Sequence, residues 1–470
     1  MKNLVASCIS RTLEPSAMKL RICVILVGLV SLVACGGGDG GSVSPTSAGG
    51  RSSGSDSSGS SSSSGTTALL VSLGEVGHVG DEVVSFKLTI DSVALHSSAG
   101  DVSLLSTPRR VELSRFKAEP LLVNKAPQGK YRGIVIAVSN PEISFVDSQG
   151  VLHEHVAASL TSSTATNPSE FSLDSTPTAV NLNVFLSPGF VSNPVTVTPA
   201  LNFTTSGGLT EGLVGRVTAV ASNSFTINVG NATFTLAADF RTEFQGVPGL
   251  GGLTPGMTVE VDAVFDSGGI YRATKVNLEN DLPSALVVEG LTLSVSLGQL
   301  QMLVREVHGP DGVIVPDVGG ALTINANSSS QFHVSDGVDL TNLDFTPRFD
   351  ALTVAVGQNV RVSALSASAI TADQLKLAKQ SLDGVPADIT AGSVPDQYSF
   401  RLNLNAGSAF AKLTGQTSML VTLQPSTQKF LYFGLENCVP CIAGGTVRVR
   451  GLLFFSGGQY RLVAEWLSVG

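Results

Sequence analysis

From Ala68 onward, apolar and polar residues alternate with a period of two. Phe86, Leu88 and Ile90 fall on one face of a strand with Lys87 and Thr89 on the other, and Val102 to Leu105, Ile134 to Val138 and Val195 to Val197 read the same way. Ser97-Ser98-Ala99-Gly100, Pro127-Gln128-Gly129 and Ser148-Gln149-Gly150 separate these runs as turns. Short strands at this spacing predict a β-sandwich over residues 67–205.

The remainder repeats itself. A start element recurs as Leu213-Val214-Gly215-Arg216-Val217, Val288-Glu289-Gly290-Leu291-Thr292 and Leu382-Asp383-Gly384-Val385. An end element recurs as Gly256-Met257-Thr258-Val259, Gly357-Gln358-Asn359-Val360 and Gly444-Gly445-Thr446-Val447, followed by Ala273, Ala372 and Ala464 at offsets of 17, 15 and 20 residues. A glycine that breaks each strand at a bend, followed by alternation such as Val259, Val261 and Ala263, predicts a small closed barrel. Three barrels are expected, over 211–281, 285–379 and 381–470, the middle one with an insertion around Gly309 to Gly337. The repeats align Trp466 with Gln374 and Lys275, a position open to solvent in an isolated barrel. The fold class is all-β: an N-terminal sandwich followed by about three barrels.

The strand Leu88-Thr89-Ile90-Asp91-Ser92-Val93-Ala94-Leu95, the strand Val111-Glu112-Leu113 and Ala126-Pro127-Gln128-Gly129-Lys130-Tyr131 resemble an uncharacterised lipoprotein domain family of Gram-negative bacteria. That resemblance implies an Ig-like or transthyretin-like sandwich at the cell envelope, with no known activity to carry over. The repeats are similar to a second uncharacterised family of small OB-like barrels that occur in tandem in envelope proteins.

Ahead of the sandwich the alternation is absent. Residues 36–66 are a Gly/Ser tract with no aromatic side chain and predict a disordered tether behind Cys35. It would reach about 30 Å as a coil and roughly 100 Å at full stretch. Before it, Lys19 and Arg21 precede an apolar run of 13 residues, Ile22 to Ala34, too short for the roughly 20 that cross a bilayer as a helix. The run ends in Leu32-Val33-Ala34-Cys35, which resembles a bacterial lipoprotein signal peptide over residues 1–34. The resemblance implies cleavage between Ala34 and Cys35, with diacylglycerol (palmitate-type acyl chains) on the Cys35 thiol and a further acyl chain on its amino group. Such chains anchor a protein to a membrane without crossing it. Gly36 in place of Asp resembles the sorting pattern of the outer membrane, with the periplasmic or surface side left open. Met18 stands directly before the signal and is an alternative start to Met1.

Cleavage removes four basic residues and one acidic residue from a chain of formal charge −9, leaving about −12. Without a basic stripe to displace counterions from phosphates, nucleic acid is excluded as a partner. His153-Glu154-His155 is the best metal candidate, because alternation would set both imidazoles on one strand face about 7 Å apart; the other ligands are missing from the sequence neighbourhood, and a solvated strand or loop edge is the favoured reading. Cys438-Val439-Pro440-Cys441 lacks the βαβ setting of a redox motif and predicts a local disulfide worth about 2 kcal/mol. Gly50-Arg51-Ser52-Ser53-Gly54 matches a hydrolase elbow, and Gly36, Gly38 and Gly41 a dinucleotide fingerprint. Both lie in the tether without the strand and helix such motifs need. No catalytic residue and no cofactor is assigned. The expectation is a non-enzymatic, membrane-anchored envelope scaffold that binds an envelope protein or glycan. A metal-dependent protein or enzyme using His153 and His155, or a surface adhesin, are the alternatives.

Overall fold

Alternating strands bury one face only if a second sheet covers them, and the chain meets that demand with one sandwich and three closed rings of strands. The computed structural model describes residues 65–74, 80–114, 118–189, 195–205, 208–281, 285–309, 321–364, 370–430, 439–442 and 444–469. Ala34, Cys35, the signal segment and the Gly/Ser tract up to residue 64 lie outside the described residues, as does Cys438.

The sandwich pairs a five-stranded sheet, ordered Glu119–Pro127, Thr66–Leu73, Thr178–Gly189, Thr196–Thr204 and Ser159–Leu160, with a second sheet built on Val83–Ser97 and Gly133–Val146. Leu69, Val71, Val180 and Leu182 from the first sheet meet Phe86, Leu88, Ile90 and Ile136 from the second in one buried cluster. A large apolar side chain buried in this way contributes about 1.5–3 kcal/mol. Leu70, on the opposite face of the first strand, packs with Ala68 and Ala179 into the core of the first barrel. The run Ala68-Leu69-Leu70-Val71 is therefore apolar on both faces because both are covered.

Each barrel has the same circuit of five strands. In the first, Gly208–Val220 pairs Ser224–Val229, which pairs Ala232–Ala237; Tyr271–Asn280 and Thr258–Phe265 complete the ring back to Gly208–Val220. In the second the strands are Leu286–Ser296, Gln299–His308, Leu322–Asn325, Ala372–Leu377 and Asn359–Ala364, closed by a parallel bridge from Asn325 to Thr371. In the third they are Gln380–Ala391, Tyr398–Leu404, Ser418–Phe430, Gln459–Val469 and Val447–Ser456. The order 1-2-3-5-4-1, with strand three parallel to strand five, is that of the five-stranded OB-type Greek-key barrel.

The repeated sequence elements have physical causes. Gly215, Gly290 and Gly384 sit where strand one bends against strand two. A Cβ there would meet the carbonyl oxygens of Asn228 at 2.9 Å, Leu303 at 2.1 Å and Asn403 at 2.5 Å. Ala273, Ala372 and Ala464 are each buried beside a bulge in strand five, where Thr274, Asp373 and Glu465 are the extra residues. One feature the sequence pattern did not suggest also recurs: the hydroxyls of Thr242, Ser330 and Thr427 donate to the carbonyls of these three alanines at 2.8, 2.6 and 2.9 Å.

Two expectations are corrected. The stretch Gly309 to Gly337 is not wholly an insertion, because Leu322–Asn325 is strand three of the middle barrel and Gln331–Val334 pairs strand five. Only four residues long, strand three offers too little alternation to be recognised. Trp466 does not face solvent: it is 2 % exposed, on a strand whose Val463 packs into the core of the second barrel.

Replacing Gly290 by Ala is expected to cost about 1–3 kcal/mol through overpacking against the Leu303 carbonyl. Gly129→Ala, with no atom near the added methyl, should stay within about 0.5 kcal/mol of the parent. Urea unfolding of the two variants measures both.

Candidate functional site at the module junction

His153 and His155 lie on Leu152–Ala157, but a bulge interrupts the alternation there. Phe145 pairs His153 while Ile143 pairs Val156, so the His-bearing strand carries one residue too many, and His155 takes a positive φ of 50°. His153 stacks on Phe145 and bonds Asp147 at 2.9 Å, whereas His155 bonds Glu142 at 2.8 Å. The two rings do not share a partner and form two separate His–carboxylate pairs. The His155 bond holds the Glu142 carboxyl below its usual range against the opposing effect of burial. No cluster of three or more metal-ligating side chains occurs among the described residues. Cys441 lies in the short 3-10 turn Val439–Ile442, its side chain outside the described residues with Cys438.

The densest polar chemistry lies where the barrels meet. In the second barrel Glu289 on strand one stands opposite Arg361 on strand four, and in the third Asp383 stands opposite Arg448. Arg361 bonds Glu289 at 2.9 Å, and Arg448 bonds Asp383 through two nitrogens at 2.8 and 2.9 Å. In the first barrel the equivalent positions are Val214 and Glu260. With valine opposite, Glu260 reaches across to Arg361 of the second barrel at 2.9 Å, and Glu279 joins it at 3.0 Å. Lys376 bonds Glu279, Arg450 bonds Glu211 of the first barrel at 3.0 Å, and Lys379 bonds Glu465 of the third.

Burial pushes the Glu260 carboxyl up, yet Arg361 and then Lys376 outweigh it and hold the group well below its ordinary value of 4.5. Burial likewise opposes the charge of Arg361, and Glu260, Glu279 and Glu289 more than compensate. Asp262 is the exception: burial raises its carboxyl, and the Gly212 N–H at 2.7 Å offsets this only in part. These carboxylates are committed to cations, so the arrangement acts as a lock between modules.

Beside this lock, the sandwich and the second and third barrels enclose a cavity of about 110 Å³. Arg305, Asn359 and Lys379 of the second barrel, Ser381 and Asp383 of the third, and Asp81 of the sandwich supply polar groups, while Leu291, Leu382 and Phe410 supply apolar wall. Asn359 connects the cavity to the lock, because its side chain donates to Glu289 at 2.9 Å.

Arg361→Met would remove the cation that Glu260, Glu279 and Glu289 share, leaving Lys376 on Glu279 and the Asn359 amide on Glu289, and is expected to cost about 3–5 kcal/mol at pH 7. In the parent, the lowered Glu260 contributes stability above its ordinary value that is lost only as pH falls through its folded value. In the variant the carboxyls that lose Arg361 are raised, so their penalty is relieved by protonation as pH falls. The stability gap should therefore narrow between pH 7 and pH 5, as read by urea unfolding at the two values.

Residues 214–277, within the first barrel, match the model of a family described as a domain of unknown function (DUF5666). No curated protein matches the chain. Among solved structures, the chain is similar to Unr CSD456 of Drosophila, at 10 % identity over 55 % of this chain and 96 % of that one, with a TM-score of 0.12. A likeness at that score carries no argument, and the barrel assignment rests on the strand pairings. The family match establishes that the first of the three barrels contains a DUF5666 domain.

Proposed function

We propose that the protein is a non-catalytic binding scaffold of the bacterial envelope, held to a membrane, and in a Gram-negative cell to the outer membrane, by acyl chains on Cys35. The lipoprotein-type sequence Leu32-Val33-Ala34-Cys35 supports the anchor, and the Gly/Ser tract behind it supports a tether. The observation that carries the scaffold reading is the buried lock around Arg361, which joins separate barrels through charges 3 % exposed or less at Arg361, Glu279 and Glu289. Buried ionic groups of this kind fix mutual orientation at a cost in desolvation, a feature suited to presenting a surface and unnecessary for a flexible string. An envelope protein or glycan is the proposed partner class, and the acidic mature chain disfavours nucleic acid.

Cells expressing the 470-residue chain and fed labelled palmitate should yield a labelled product that fractionates with membranes. Cys35→Ala should lose both label and membrane association. An unlabelled, freely soluble wild-type product would refute the anchor.

A further inference from the structure

We infer that the cavity between the sandwich and the second and third barrels is a binding site for a neutral, hydroxyl-rich small molecule of about one sugar ring, free or at the end of a glycan. This deepens the binding half of the scaffold reading and does not depend on the anchor.

Size is the first ground. A cavity needs only about 10–15 Å³ to admit a water molecule, and an apolar one of about 150 Å³ takes benzene. The 110 Å³ here is smaller than that but open at its mouth, so it takes the edge of a sugar ring, a hydroxyl or two with their carbons, and leaves the rest of the ring outside. Position is the second, since ligand sites form preferentially between domains.

Chemistry selects the class. Charged side chains of both signs line the wall, Asp81 and Asp383 against Arg305 and Lys379. Lys379 is bonded to Glu465, Asp383 is held by Arg448 through two bonds, and Arg305 directs its Nε and Nη2 at the Val84 carbonyl at 3.0 and 2.7 Å. An ion of either sign would therefore meet like charge beside opposite charge, two of each, and would lose its hydration. What the wall retains is hydrogen-bonding capacity. A carboxylate oxygen has more than one acceptor site, and an ammonium has three donors, so paired groups can still bond a hydroxyl. The Ser381 hydroxyl has no hydrogen-bond partner within the protein but is itself closed to solvent, so the capacity a ligand meets is that of the charged groups and the Asn359 side chain. Phe410 adds an aromatic wall beside these groups, and an apolar wall with a few polar groups is the usual make-up of a small-molecule site.

The test uses the purified 470-residue chain in a detergent without a sugar headgroup. Saturation-transfer NMR would compare glucose, galactose and N-acetylglucosamine with inorganic phosphate and glycine, each at about 10 mM, suited to millimolar affinities. At least one sugar should bind saturably, phosphate and glycine should not, and Ser381→Phe, which fills the cavity, should weaken sugar binding about tenfold or more. Should that variant fail to fold, hydrogen exchange on the parent replaces it: the bound sugar should slow exchange at residues 380–383 and 404–410. No saturable sugar binding, preferential binding of phosphate or glycine, undiminished binding by a folded Ser381→Phe, or exchange unaltered at those segments would overturn the site. A failure at Cys35 would leave this test standing, and a failure here would leave the anchor standing.

Discussion

The structure depends on how a buried guanidinium is satisfied. Arg361 is 3 % exposed, and an ion so placed persists only where opposite charges and hydrogen bonds replace its water. Glu289 from its own barrel supplies part of that, as a directly opposed cross-strand pair. The remainder comes from Glu260 and Glu279, which belong to a different barrel. The second barrel therefore cannot bury Arg361 without the first beside it.

Repetition makes this arrangement informative. Three modules with one circuit of strands offer equivalent outer faces, and equal faces of equal charge repel. The chain resolves this at two positions per repeat: Val214 and Glu260, Glu289 and Arg361, Asp383 and Arg448. The second and third barrels pair these residues internally. The first carries valine where the others carry an acid and glutamate where they carry a base, so its carboxylate has no partner at home and its neighbour's arginine becomes that partner. A change of two residues converts an internal strand pair into a connection between modules. The same economy marks the carboxylate raised by burial, Asp262, which takes the place of Ser363 and Arg450 in the other repeats.

Much of this was legible in the sequence, for reasons that differ by level. Period-two alternation gave the strands because inward side chains need an apolar neighbour, as Phe86, Leu88 and Ile90 illustrate. The recurring glycines marked bends because no Cβ fits against the carbonyl of strand two at Gly290. The signs of Glu260, Arg361 and Arg448 also stood in the sequence, between valines in each end element, and could have been read as complementary once the repeats were aligned. What alignment could not provide was which faces meet. Trp466 was placed at the right repeat position and given the wrong surroundings, since exposure follows from the packing of whole modules. His153 and His155 differ again: a single extra residue in the strand, with His155 at positive φ, separates two rings that strict alternation would place on one face.

The lock and the cavity are not independent. Asn359 donates its side-chain amide to Glu289 and its backbone N–H to Gln380 at 2.8 Å, and both Asn359 and Gln380 line the cavity. Arg305, from the same wall, reaches the Val84 carbonyl of the sandwich. The groups that would touch a bound molecule are thus the groups that hold the second barrel to the sandwich and to the third barrel. Whatever occupies that space binds the assembled form and not the separated modules, so occupancy must stabilise the junction by mass action. By the reciprocity of linked equilibria, loosening the junction must weaken the ligand by the same factor. Modules joined only by covalent connection would show no such coupling, because each would keep its own surface whether or not its neighbours were in place.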